Sequence, residues 1–216
     1  MAYHHGNLRE ALLERAAEVI AERGVEALSL RALARDLGVS HAAPARHFAD
    51  RNELLVELAS AGFRRSIEAM DEGADRAGAD PVARYRALGR SYVRFAMENP
   101  SYFRAITHPD VLAHSSGELQ STRRAWFSRL REGANAAREA GWHPEYDPDV
   151  LVTFSCAAAM GTAAFLSDPS LCGMLDTDDV EALADAVLDL TVHRSETTPL
   201  RAGAAKIDKK RPRKVS

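Results

Sequence analysis

Apolar positions recur at helical spacing almost throughout this chain. Leu12, Ala16, Val19 and Ile20 line one face of a stretch from Leu8 to about Arg23. Asn7, with Glu10 three residues on, has the form of a capping box, and Gly24 is the stop. Ser29 begins a short second helix carrying Leu30, Leu33 and Leu37, ended at Gly38. Ser40 is placed to cap a third helix, from about His41 to His47. Asp50 with Glu53 caps a fourth that runs towards Glu72, and Gly73, Gly78 and Pro81 punctuate the chain after it.

A second helical region follows. Pro81 to Met97 reads as one helix, closed by Asn99-Pro100, and Tyr102 to Ile106 as a short piece ending at His108-Pro109. Glu118 to Ala140 is a long helix ended by Gly141. Asp147-Pro148 opens another that lasts to Leu166, with Asp168-Pro169 beyond it. Thr177 opens the last, with Val180, Leu183, Ala184, Val187 and Leu188 behind it. No strand pattern and no internal repeat occurs, so the expected fold class is all-α.

Composition narrows the class. Of 216 residues, 46% are hydrophobic and 27% charged, which excludes a chain disordered throughout and permits a buried core without staples. Two cysteines, Cys156 and Cys172, exclude a disulfide scaffold and a cysteine-based zinc cluster. The first residues lack the pattern of a signal peptide. The longest apolar run, around Phe154 to Leu166, is short and broken by Ser, Thr and Gly, so no membrane span is expected. The expectation is a reduced, cytoplasmic protein.

Charge is unevenly spread. Every lysine lies in the last stretch, where seven cations against Asp208 give residues 201–216 a charge of +6. The rest then carries −9 of the net −3. On charge alone this body is not a nucleic-acid binder, so that case must come from a motif.

The motif is SLRALARDLGVSHAAPARHF, from Ser29 to Phe48: two short helices joined at Gly38, as in a helix-turn-helix. Ala34 must be small because the next helix packs on it, and Gly38 permits a backbone turn at positive φ. Leu30, Leu33, Leu37, Val39 and Phe48 hold the pair to the first helix.

On AERGVEALSLRALARDLGVS, Arg46-His47-Phe48 and Arg51-Asn52-Glu53-Leu54-Leu55, the segment from about Tyr3 to Leu58 resembles the N-terminal domain of the TetR/AcrR family of transcriptional regulators. The resemblance implies a helix-turn-helix DNA-binding domain over residues 1–60 and a helical ligand-binding and dimerisation domain over 61–195. A basic tail expected to be disordered occupies 196–216. Ser29 and Arg31 would touch phosphates; Ser40, His41, Ala42 and Ala43 would face base edges or backbone; Arg46 and His47 would contact bases or phosphates; Arg51 would meet a phosphate. The family commonly has a phosphate-binding Tyr where this chain has Ala45, a departure that removes one positioning contact. The stretch from Tyr3 to Arg9 resembles an N-terminal arm able to reach the minor groove, and the tail from Lys206 to Lys214 offers sequence-independent attraction to phosphate.

The segment NPSYFRAITHPDVL, with Gly161 later, is similar to a family branch carrying Trp, His and Gly on its penultimate helix; here the matching positions are Cys156, Met160 and Gly161. Candidate pocket residues are the large apolar groups Phe95, Tyr102, Phe103, Ile106, Trp126, Phe127, Leu130, Phe154, Met160 and Phe165. Each reads equally as core packing. His108, His114, His143, Asp147 and Asp149 show no metal-ligand spacing, and no metal or cofactor is expected. By resemblance the helix bearing Ala157, Gly161 and Ala164 and the last helix, with Leu183, Val187, Leu190 and Val192, form a homodimer interface.

Two functions compete. One is a regulator, most often a repressor in this family, that leaves a palindromic operator on double-stranded DNA when a small-molecule effector binds. The other is a helical ligand-binding or scaffold protein that has lost sequence-specific DNA binding, motivated by Ala45 and the acidic body. No nucleophile–base arrangement or phosphate loop speaks for an enzyme.

Overall fold

The computed structural model describes residues 8–113, 117–175, 177 and 179–192, apart from the side chains of Pro169, Thr191 and Val192; among these the elements are all helical. The Asn7 cap, the Tyr3 end of the arm, His114, the side chain of Val192 and the tail from residue 196 lie outside the described residues.

The first three α-helices are α1 (Leu8–Arg23), α2 (Leu30–Asp36) and α3 (Arg51–Arg76), with tight turns of 3-10 helix at Val25–Ala27 and Pro44–Arg46. Leu12, Ala16, Val19 and Ile20 are buried as the spacing requires, against Leu33, Phe48, Leu54, Leu55 and Leu58. Each such side chain contributes about 1.5–3 kcal/mol when fully buried. Ala34 is fully buried and its carbonyl accepts from Val39 N at 2.9 Å, so the turn at Gly38, with φ +68°, folds back closely. Asp50 caps α3 by accepting from Glu53 N at 2.8 Å.

The expected third helix is not an α-helix. From His41 to His47 the chain forms turns and the 3-10 segment, with Ala43 N donating to Ser40 O and Arg46 N to Ala43 O. Pro44 has no N–H, so the bond that would close an α-turn on Ser40 cannot form. Ser40 therefore caps nothing with its side chain, and Ser29, at the N-cap of α2, makes no side-chain cap bond either.

The helix α3 also runs past its expected end. Gly73 lies inside it, buried, because α4 (Pro81–Glu98) crosses there: a Cβ would collide with Ser91 Oγ. The chain continues through α5 (Pro100–Thr107), α6 (Pro109–Ala113), α7 (Gly117–Glu139), α8 (Pro148–Leu166), α9 (Pro169–Cys172) and α10 (Val180–Val192). The short α6 and α9 follow prolines that sequence reading took as stops; Pro is equally at home in a first turn. The last helix opens at Asp179 rather than Thr177: the Asp179 carboxylate accepts from Ala182 N at 2.8 Å.

In the body α3 packs on α4, α5 and α7, while α8 and α10 lie against α4 and each other. Since α3 contributes Leu54, Leu55 and Leu58 to the N-terminal head and Phe63, Ser66 and Met70 to the body, one core joins both. The apolar run expected to be short is part of the 19-residue α8, which is long and apolar enough to cross a membrane by length and composition, and much of its surface is exposed.

Candidate nucleic-acid interface and ligand cavity

The head carries two kinds of arginine. Arg15 is held by Glu18 and Asp36, Arg35 by Asp36 and Arg9 by Glu57. Arg31 and Arg46 are exposed and form no ion pair among the described residues. Ser29, Ser40, His41, Ala42 and His47 are exposed beside them, and Ala43 is half-buried. The acids of α1, Glu10, Glu14, Glu18 and Glu22, are spaced by four and all exposed, so they form a stripe of their own. The one carboxylate of the helix-turn-helix, Asp36, is taken up by Arg15 and Arg35, which leaves Arg31 and Arg46 without a counter-charge among the described residues.

Arg51, expected at a phosphate, has partners within the chain. Its guanidinium donates to Val25 O at 3.0 Å and approaches Glu26 at 3.4 Å, tying α3 to the turn after α1 instead of standing free. Glu26 also faces His108 of the body at 3.5 Å. Arg104 on α5 reaches further: it donates to Ile20 O at 2.7 Å and Ala21 O at 3.1 Å. These carbonyls belong to the last turn of α1, where partners within the helix run out. The head is therefore fastened to the body by the continuous α3, by Arg104 and by the contact of Glu26 with His108.

The body holds a narrow, partly open cavity of about 30 Å³ between α4, α7, α8 and α10. Of the candidate pocket residues, Trp126, Leu130 and Met160 line it. Phe95, Tyr102, Phe103 and Ile106 do not; Phe103 and Ile106 belong to α5, which packs on the far side of α4 and α3. Phe127 and Phe154 are turned to solvent, 50% and 55% exposed, and Phe165 is exposed as well. Neighbours on one helix diverge by 100°, so Trp126 turns inward while Phe127, its ring edge-on to Trp126 at 5.2 Å, faces outward.

Sequence reading missed Tyr85, Tyr92, Ser155, Arg86 and Leu188 on the cavity wall. Tyr85 and Tyr92 are seven apart on α4, one face of a helix, which was the available signal. The buried Tyr85 hydroxyl has Ser155 beside it. Burial pushes Tyr85 up to about 12 and Tyr92 upward too, and it pushes the Cys156 thiol up to about 11. All three stay neutral at physiological pH, which leaves Cys156 a poor nucleophile and oxidant sensor. Tyr92 packs edge-on to Trp126 at 5.4 Å and to Phe103 of α5 at 6.3 Å. The cavity thereby touches the helix that carries Arg104.

A ladder of ion pairs fastens α10 over this space. Arg86 pairs with Asp189, Arg90 with Asp185 and Asp189 at 3.0 Å, and Arg94 with Glu181 at 3.5 Å. Each pair is partly exposed and worth roughly 0–1 kcal/mol, so the ladder sets register more than strength.

The outer face of α8 is apolar and open. Val150, Phe154, Ala157, Met160, Gly161, Ala164 and Phe165 are exposed at three- and four-residue spacing, and nothing lies within 4 Å of a Cβ built on Gly161. On α10, Leu190 is 79% exposed, while Leu183 and Val187 are half-buried. No group of His, Cys, Asp and Glu suited to a metal occurs among the described residues.

Residues 12–58 match the family described as "Bacterial regulatory proteins, tetR family", and residues 85–191 match "Tetracyclin repressor-like, C-terminal domain". The uncharacterized HTH-type transcriptional regulator YobS of Bacillus subtilis is 30% identical over 101 residues, 46% of this chain; the match spans about half of that relative, 51% of its length. A solved structure of a protein with unknown function from Rhodococcus sp. RHA1 is 32% identical, with a TM-score of 0.74 over 88% of this chain and 96% of that one. AibR, solved in complex with isovaleryl coenzyme A and operator DNA, is 21% identical with a TM-score of 0.66, covering 85% of this chain and 97% of its own, a likeness of fold.

Proposed function

Because the chain belongs to the TetR family of bacterial regulatory proteins, we propose that it is a homodimeric transcriptional repressor, released from a palindromic operator when a small molecule enters its body. The observation that carries this reading is the division of arginines on the head. Arg31 and Arg46 on the helix-turn-helix, like Arg23 at the end of α1, stay exposed with no ion pair among the described residues, while Arg9, Arg15, Arg35 and Arg51 each face a carboxylate of the chain. Free cations beside a helix-turn-helix are what phosphate and base contacts require. Residues 1–60 would be the DNA-binding unit, 61–195 the ligand-binding and dimerisation unit, and 196–216 a basic tail. The protein would act in the cytoplasm.

The open stripe of α8, with Leu190 of α10 beside it, supports the dimer: an exposed apolar face of this length calls for a partner, and a second copy supplies the second head for a second half-site. AibR holds both a ligand and operator DNA; on this reading the present chain also binds both. A ligand between Tyr85, Tyr92 and Trp126 would press on Phe103 and so shift Arg104 and the end of α1. Operator spacing is fixed, so a small change in head angle on two subunits lowers affinity.

Selection of bound duplexes from a random library, with purified protein at near-physiological salt, tests the reading. An enriched palindrome is expected. Salt-sensitive binding alone, abolished by removing residues 201–216, contradicts it.

A further inference from the structure

The reading surface of the head is unusual in its chemistry. Pro44 and Phe48 turn into the core, Phe48 only 2% exposed, and pin the recognition segment from behind. What remains outward between His41 and His47 is Ala42, Ala45 and Arg46, with Ala43 half-buried. Ala42 and Ala45 end in a methyl and offer no side-chain donor or acceptor. Arg46 follows directly, exposed, with its donors uncommitted to any ion pair among the described residues.

We propose that each head reads its half-site through thymine methyl groups set against Ala42 and Ala45 and one guanine held by Arg46. This rests on the reading of the chain as an operator-binding regulator and adds what the operator must present. In the major groove thymine shows a C5-methyl, which an alanine methyl meets by apolar contact; guanine shows two acceptors, O6 and N7, which match the fork of a guanidinium. The division follows from the side chains present. Two short apolar groups can discriminate a methyl but no polar edge, and the one long donor beside them suits the one base with paired acceptors. Phosphate anchoring then falls to Ser29, Arg31, His41 and His47, all exposed around the segment. The tight winding belongs to the same arrangement. Pro44 prevents a full α-turn on Ser40, and short side chains at Ala42 and Ala45 let the segment sit close to the base edges.

The test alters the DNA and leaves the folded protein untouched. The duplex enriched by selection is remade with deoxyuridine at each thymidine of the half-site in turn, removing only the methyl. Separately, it is remade with 7-deazaguanine at each guanine, removing only N7. Affinity is read by fluorescence anisotropy at fixed salt. For wild-type protein the expectation is a loss of about fourfold at each of two thymines, the worth of one buried methyl, and of about tenfold or more at one guanine. The Ala42→Gly and Ala45→Gly variants, checked for folding by circular dichroism, should each become indifferent to one of those deoxyuridines. Arg46→Ala should become indifferent to the 7-deazaguanine. An enriched duplex that tolerates deoxyuridine throughout, or whose guanine effect persists in Arg46→Ala, overturns the proposal while leaving the operator-binding reading intact. Failure to enrich any duplex overturns that reading and this proposal together.

Discussion

The head and the body spend their apolar residues differently. In the head Leu12, Ile20, Leu33, Phe48, Leu54, Leu55 and Leu58 are all buried against one another, and the outward face is left to polar and very short side chains. In the body the same helices serve several neighbours. α8 sends Leu151, Val152 and Ala163 into the core, Cys156 and Met160 to the cavity, and Phe154, Ala157 and Ala164 to open solvent. The head buries its large apolar side chains within one chain; the body leaves a cavity beside α8 and an apolar stripe on its outer face open. A residue's type predicts its place where there is one core to join, and fails where three surfaces compete for it.

The comparison breaks most directly at Phe48. Phe48→Ala should cost about 3–5 kcal/mol in the head and abolish operator binding, with dimer mass unchanged in light scattering; loss of the dimer as well would mean the two regions are not separable. Ala157→Glu attacks the other side. A charge on the open stripe should yield monomers, lower operator affinity by roughly 100-fold, and leave the stability of the single chain within about 0.5 kcal/mol; a persistent dimer would place the interface elsewhere.

Two glycines sharpen the contrast within the body. Gly73→Ala should destabilise by about 1–3 kcal/mol in urea unfolding, because its Cβ would collide with Ser91. Gly161→Ala should stabilise the isolated chain by up to about 1 kcal/mol, since its Cβ enters open space and alanine is the better helix former. Equal losses would show that α8 is packed within the subunit.

Alkaline pH probes the cavity. Cys156 ionises near 9.0 when unfolded and at about 11 in the folded chain. The raised folded value means that stability from the neutral thiol is fully present below pH 9 and is lost as pH climbs through 11. Thermal unfolding of wild type should therefore fall more steeply over that window than that of Cys156→Ala; parallel curves would mean the thiol is solvated. The smallest effect is on the head's surface. Arg31→Ala should weaken binding to all duplexes alike and reduce the salt slope by about one, and a loss that varied with sequence would reassign it to base reading.

What could be read in advance follows the same division. The helical class, the boundaries of α1, α2 and α4 to within a residue or two, and the helix-turn-helix rest on caps, glycines and apolar spacing, all local signals. The recognition segment was misread because Ser40 looked like a cap, while the missing N–H of Pro44 decided the winding. The bond from Arg51 to the Val25 carbonyl was not legible because its partner is distant in sequence. In the body, size was a poor guide. Phe127 and Phe154 are as large as Phe103 yet face outward, and the cavity's buried hydroxyl belongs to Tyr85, unremarked beside the larger Trp126.

The central claim is that two self-contained heads act together only because the body is finished by a second copy. The decisive measurement compares binding of wild type and Ala157→Glu to the full selected palindrome and to a single half-site, with the mass of each complex determined in solution. Two wild-type chains on the palindrome, bound far more tightly than one half-site, and a variant that treats each half-site independently, are the predicted result. A single chain on the full site, or a variant that binds the palindrome as wild type does, would contradict the account.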